Sequence, residues 1–211
     1  DFPWRKSNNP YKIWISEVML QQTQVTTVIP YYNRWMKKFP TIQDVAKADI
    51  DIILKYWEGL GYYSRAHNIK KTAIIICETM NGKLPKSNLL RTLPGIGDYM
   101  EGSIMSIAFS KPFPAIDGNV KRVFSRLLCE NFNSAKEIKK LKKHIIKKMY
   151  KSRPGCFNQA IMDLGREICK PTNPLCNSCP VQNKCIAYHK NSTSLYPRKK
   201  IKKNAPHMML S

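Results

Sequence analysis

The sequence predicts an all-α chain, on three observations. Apolar residues recur at helical spacing through most of the 211 residues. No stretch alternates apolar and polar residues for more than a few positions, as a half-buried strand does. The breaks between the periodic runs also carry helix punctuation, such as Asn9-Pro10, Asn81-Gly82 and Ser134-Ala135-Lys136-Glu137.

The first helix opens at Pro10, with Asn9 as its N-cap and the proline where a missing N–H costs nothing. It is expected to run to about Thr27 and to stop before Pro30, because proline inside a helix removes a hydrogen bond. A short helix then covers Tyr31 to Lys38, and another Asp49 to Glu58, closed by Gly59-Leu60-Gly61. Tyr62 to Met80 is long and ends at Asn81-Gly82. After the turn Leu93 to Gly97, helices follow over Asp98 to Phe109 and Gly118 to Cys129. Ser134 and Glu137 form a capping box for a helix to about Met149, and Cys156 to Cys169 is the last long helix.

The break Lys111-Pro112-Phe113-Pro114 divides the chain into a first lobe, residues 10–111, and a second, residues 112–190, to which residues 1–9 are assigned. Residues 191–211 read as a basic linker or arm, with Arg198-Lys199-Lys200-Ile201-Lys202-Lys203 at its centre. The abrupt opening on Asp1-Phe2-Pro3-Trp4-Arg5 suggests a preceding segment.

Thirty-six Lys and Arg against 14 Asp and Glu give a net charge of +22. Such a field favours a polyanion. No run reaches the roughly 20 apolar residues of a membrane span, and no amphipathic helix has a bulky apolar face, so nucleic acid is favoured over a membrane. Of seven cysteines, Cys77, Cys129 and Cys156 are scattered in apolar surroundings and read as buried thiols. The other four, Cys169, Cys176, Cys179 and Cys185, have the spacing C-x6-C-x2-C-x5-C. This cluster argues for a metal site in a reducing compartment. Four thiolates suit either Zn²⁺ or an iron–sulfur cluster, and spacing alone leaves both open.

Leu93-Pro94-Gly95-Ile96-Gly97 combines a fixed φ at Pro94 with glycines that allow positive φ and close approach. Backbone N–H groups opening the next helix can face an anion, and a DNA phosphate is the anion that suits this charge. Two carboxylates stand in different settings. Glu17 lies mid-helix in a partly apolar stripe with Ile13, Leu20 and Gln21, where desolvation favours the protonated form. Asp117 precedes a helix as an N-cap, where backbone N–H groups and the helix dipole favour the ionised form. Such a split suits cleavage of a glycosidic bond, with one group as acid and the other stabilising a cationic sugar.

The cysteine loop and the hairpin together resemble those of the endonuclease III-like helix-hairpin-helix DNA glycosylases. Longer strings resemble the A/G-specific adenine glycosylase branch of that family. They are Trp4-Arg5, Pro10 to Trp14, Ser16 to Thr23, Gly59 to Tyr63, Asp117 to Val123 and Phe157 to Ala160. The likeness runs from Asp1 to about Lys200. It implies two helical lobes flanking a DNA-binding cleft, a 4Fe–4S cluster on Cys169, Cys176, Cys179 and Cys185, and a monovalent cation at the hairpin carbonyls. It implies an intracellular monomer that flips adenine out of an A:8-oxoguanine or A:G mispair in double-stranded DNA and hydrolyses its glycosidic bond.

By the same resemblance, Glu17 protonates the adenine at N7 and Asp117 stabilises the oxocarbenium-like sugar. Gln22 and Tyr62 enter the base stack, and Asp163 contacts the extruded base. Gly95 and Gly97 meet a phosphate, while Arg5, Asn119, Lys121 and Arg122 are DNA contacts. Tyr99 stands where bifunctional relatives carry a Schiff-base lysine. A phenol forms no imine, so the reading is of a monofunctional enzyme, with Tyr99 bonded to Asp117 or packed beside the sugar. Lys121 is a nearby amine that could give weak lyase activity, but a lysine in a basic helix reads first as a phosphate contact. Two acids beside the hairpin, Asp98 and Glu101, are expected to point away from the duplex.

The resemblance also implies a second, C-terminal domain, whereas this sequence stops at Ser211: either the chain is a fragment or lesion recognition rests on this part alone. The competing readings are an endonuclease III-type pyrimidine-lesion glycosylase with lyase activity and a non-catalytic iron–sulfur DNA-binding protein.

Overall fold

The computed structural model describes residues 2–198, and these are helical with no strand among them. They form two compact units. The first is Asp1–Ile116 with Ile146–Ala160, and the second is Asp117–Ile145 with Ile161–Ser211. Residues 199–211 of the arm, with most of the basic run, lie outside the described residues.

The first unit holds α1 (Pro10–Leu20), α2 (Val25–Lys38), α3 (Ile42–Lys47), α4 (Ile50–Trp57), α5 (Ser64–Thr79) and α6 (Asp98–Ile107). Asn9 caps α1 as expected: its side chain accepts from the Tyr11 and Lys12 amides at 2.9 and 3.2 Å. α1 is central and buries Tyr11 and every residue from Ile13 to Met19. Its neighbours α2 and α6 pack on either side, and α3 packs on α5. Trp14, Trp35 and Trp57 are fully buried, and Trp35 meets Trp57 edge-on at 5.7 Å. Trp35 donates to the Tyr11 hydroxyl, which donates to the Phe39 carbonyl at 2.6 Å, so the buried polar atoms are paired.

Two expectations change here. The helix break falls at Gln21 to Gln24, and Pro30 lies inside α2. The proline removes one bond of the ladder, while buried Val28, Tyr32 and Trp35 hold the helix to the core on both sides of it. The reading also passes over α3. Its capping box pairs Thr41 with Asp44, whose carboxylate accepts from the Thr41 amide at 2.9 Å. The Lys70 ammonium then bonds the carbonyls of Ala46 and Ala48 at the other end, at 2.7 and 2.6 Å.

α7 (Gly118–Leu128), most of α8 (Ala135–Lys148) and α10 (Ile186–His189) belong to the second unit. The predicted Ser134–Glu137 box is present, with bonds of 3.2 Å to the Glu137 amide and 2.7 Å to its carboxylate. The last long helix is α9 (Pro154–Asp163), which passes from the first unit into the second at Ala160 and continues as a π turn, Leu164–Ile168. The return of residues 146–160 to the first unit has a polar anchor. Asn158, buried on α9, donates to the Ser106 hydroxyl and the Phe113 carbonyl, both at 2.8 Å. Cys77 and Cys129 are half-buried, but Cys156 is exposed, because it faces outward from the first turn of α9.

Candidate active site

Glu17 is carried mid-way along α1 and is only 7% exposed. Such a helix position is normally apolar, and an acid there needs a polar partner. One comes from Tyr99, in the first turn of α6, whose hydroxyl donates to Oε2 of Glu17 at 2.6 Å. The two residues are 82 positions apart, and the packing of α1 on α6 brings them together. The sequence reading aims this phenol at Asp117 or the sugar; the structure gives it to the other carboxylate.

Asp117 is the N-cap of α7 and accepts from the Val120 amide at 2.7 Å. Its second oxygen accepts from Asn119 at 2.9 Å. The Asn119 carbonyl accepts from Arg122 at 2.8 Å, and Arg122 donates onward to the backbone carbonyls of Gly165 and Cys169, each at 2.7 Å. A continuous set of hydrogen bonds thus links the Asp117 carboxylate to the backbone of the first cysteine. Arg122 is half-buried here, and desolvation pulls its pKa below the ordinary arginine value. Lys121 beside it is half-buried. Asp163, where α9 ends, pairs with Arg166 at 3.1 Å.

The hairpin between the 3₁₀ turn Asn88–Thr92 and α6 is closed by a bond from the Ile96 amide to the Leu93 carbonyl at 3.1 Å. Thr72 of α5 donates to the Pro94 carbonyl at 2.9 Å and ties the turn to the core. Gly95 has φ +77° and lies against the Asn68 side chain, so a glycine is required there. Gly97 has φ −93° and open space around its α-carbon, so its own backbone does not demand glycine. Asp98 and Glu101 are both turned to Arg91, the latter at 3.6 Å, and form an ion-pair cluster with it. Arg5 is exposed and its guanidinium lies 5.1 Å from the Phe2 ring centroid.

Gln22 and Tyr62 share an unusual backbone. Both are exposed, and their φ values are +58° and +48°. Sequence reasoning missed the residue that holds their loops, Arg65, because an arginine at the start of a helix in so basic a chain reads as a surface charge. It missed Arg126 for the same reason. That guanidinium is buried beneath the cysteine loop and donates to the carbonyls of Lys170, Pro171, Thr193 and Tyr196 and to the Cys169 sulfur at 3.3 Å.

All seven cysteines are free thiols. Cys169, Cys176, Cys179 and Cys185 line one pocket with Arg126. No three His, Cys, Asp or Glu side chains among the described residues converge at single-ion distance. Burial pushes the thiols of Cys176 and Cys185 up, and the neighbouring Cys169 adds to it. A cation entering this pocket would have to displace those protons.

The family model of HhH-GPD superfamily base excision DNA repair proteins matches residues 15–148. An adenine DNA glycosylase of Buchnera aphidicola subsp. Schizaphis graminum is 44% identical over 207 residues, covering 96% of this chain and 59% of that protein. The rat adenine DNA glycosylase is 42% identical over 204 residues, covering 90% of this chain and 39% of that one. The chain therefore spans between about two fifths and three fifths of these relatives' length. Among solved structures, a thermostable thymine-DNA glycosylase superposes with a TM-score of 0.83 at 29% identity, covering 90% of this chain and 89% of that one. Endonuclease III, in a non-covalent complex with DNA, superposes with a TM-score of 0.76 at 26% identity, covering 87% of this chain and 86% of that one. A match over more than half its length, carried through Glu17, the hairpin and Asp117, places this chain in the HhH-GPD superfamily of base excision DNA repair proteins.

Proposed function

We propose that the chain is the catalytic part of a monofunctional adenine DNA glycosylase, acting on adenine opposite 8-oxoguanine or guanine in double-stranded DNA. The observation that carries the reading is the buried Glu17 held by the Tyr99 hydroxyl at 2.6 Å. A buried acid with a fixed orientation suits proton donation to a base that has left the stack. Glu17 gives a proton to N7 of adenine, the N-glycosidic bond breaks, and its electron pair leaves with the base. The carboxylate of Asp117, fixed by Val120 and Asn119, stabilises the positive sugar until water adds at C1′ and loses a proton. Tyr99 offers no amine for an imine, so the strand stays uncut.

The hairpin from Leu93 to Gly97 holds a phosphate at the opening turn of α6, and its carbonyls would hold a monovalent cation. Gln22 and Tyr62 enter the base stack. Arg5 and Lys121 contact DNA, and Asp163 contacts the extruded base. Asn119 and Arg122 hold the Asp117 carboxylate in place through the bonds already described. The first unit and the second correspond to the two lobes of such enzymes, and the protein acts as a monomer inside the cell. No helix among the described residues is long and apolar enough to cross a membrane.

Cys169, Cys176, Cys179 and Cys185 would hold a 4Fe–4S cluster. The donor set fits: four thiols on one pocket, with no His, Asp or Glu side chain lining it and a guanidinium against one sulfur. When bound, the cluster supplies a rigid anchor for the loop and an electron-transfer centre. Zinc on the same thiols is the alternative, and iron and sulfide analysis of purified protein separates the two.

The test is single-turnover release of adenine from an A:8-oxoguanine duplex. Glu17→Gln is expected to lower the rate by about 10²–10⁴-fold with duplex binding retained. Unchanged release would remove Glu17 as the acid. Efficient borohydride trapping of a protein–DNA adduct would favour the lyase reading instead.

A further inference from the structure

Arg65 opens α5 and is 8% exposed. Its Nη1 donates to the carbonyls of Val18, Met19 and Gln21 at 2.9, 3.1 and 2.6 Å. Its Nη2 donates to the Thr23 hydroxyl and to the carbonyls of Leu60 and Gly61 at 3.3, 2.9 and 3.1 Å. One guanidinium therefore grips two loops. The first is the end of α1, where the helix leaves carbonyls unsatisfied. The second is the turn after α4, which Trp57 also holds through a 3.0 Å bond to the Gly61 carbonyl.

Each gripped loop presents one exposed non-glycine residue in the left-handed region, Gln22 and Tyr62. A non-glycine residue stays there only if its surroundings hold it. Arg65 bonds the residue on each side of Gln22 and the residue before Tyr62, and its guanidinium lies 5.4 Å from the Tyr62 ring centroid and 5.2 Å from that of Trp57. A lysine cannot replace the fork, because an ammonium has no planar pair of donors.

We propose that Arg65 is a positioning residue that presets Gln22 and Tyr62 as one rigid pair, so that both enter the duplex together at the nucleotide being extruded. This rests on the glycosylase reading above. Parting stacked bases costs free energy, and a loose loop would yield before the stack does. A preset pair meets the stack with its backbone already fixed.

The experiment compares two substrates in single-turnover assays: adenine paired in a duplex, and adenine in an unpaired bulge, where little unstacking is needed. A duplex carrying 2-aminopurine beside the target adenine reports unstacking by its fluorescence. Arg65→Lys is expected to slow paired adenine by about 10- to 100-fold, the scale of a misplaced contact, and to leave bulged adenine within a few-fold. The fluorescence rise should slow in parallel. In a double-mutant cycle the loss should not add to that of Tyr62→Ala, because both act through one element.

Equal loss on both substrates, or full additivity with Tyr62→Ala, would overturn the proposal and leave Arg65 a structural residue. If circular dichroism shows Arg65→Lys unfolded, Thr23→Val removes a single acceptor at the edge of the grip. The same pattern at smaller size supports the proposal, and an unchanged fluorescence rise overturns it. Should wild-type protein release no adenine from either substrate, the glycosylase reading fails, and the fluorescence arm still decides for Arg65.

Discussion

A phenol and an amine of similar reach do different chemistry at position 99. The Tyr99 hydroxyl gives Glu17 one strong donor and holds the carboxyl in one orientation. Removing it leaves the acid buried with that donor gone. Tyr99→Phe is expected to slow adenine release about tenfold, the worth of one such bond, with duplex affinity little changed. A single-turnover rate equal to wild type would show that the bond does not matter to the acid. The sequence named both residues as members of the site. It did not show that they touch, because a pairing between α1 and α6 across 82 positions leaves no local signature. Arg65, Arg126 and Arg122 make the same point. The local surroundings of Arg65 and Arg126 read as surface charge and Arg122 reads as a DNA contact, and only the tertiary structure shows the first two buried and all three bonded to loop carbonyls.

At the scale of elements, helix ends were more legible than helix packing. The Asn9 and Ser134 caps were readable because capping is local chemistry between near neighbours. Glu137 accepts from the Ser134 and Asn133 amides, which holds its carboxyl below the usual carboxylate value. A depressed folded-state value means the box adds stability above the unfolded value of about 4.3 and loses it as pH falls through the folded one. An NMR titration of Glu137 against its value in the unfolded chain checks the sign. Close packing was not readable. A Cβ on Gly102, inside α6, would lie 2.3 Å from the Pro114 carbonyl oxygen, which is backbone and cannot move aside. Gly102→Ala is therefore expected to cost about 1–3 kcal/mol by overpacking, read as a lower thermal midpoint. A midpoint unchanged from wild type would mean the 111–116 segment yields easily.

For the whole molecule, the +22 charge was plain from composition, and it predicts the character of binding more than its site. Duplex affinity should fall by about 10³-fold or more between 50 and 200 mM salt if six or more phosphates are neutralised. A flat salt response would point to a partner other than a polyanion.

The sequence by itself determined the helical class, the cysteine cluster and the glycine-rich turn, because each is written in residue type and short spacing; Glu17 and Asp117 were singled out through the family resemblance. Only the tertiary structure decided where α1 ends, that residues 146–160 rejoin the first unit, and which buried arginine holds which loop. Those outcomes depend on groups far apart in the chain. Arg65 reaches carbonyls 44 to 47 positions away, and Asn158 reaches Ser106 across 52. A polar group buried by packing must find a partner wherever the fold places one, and no local pattern records where that is.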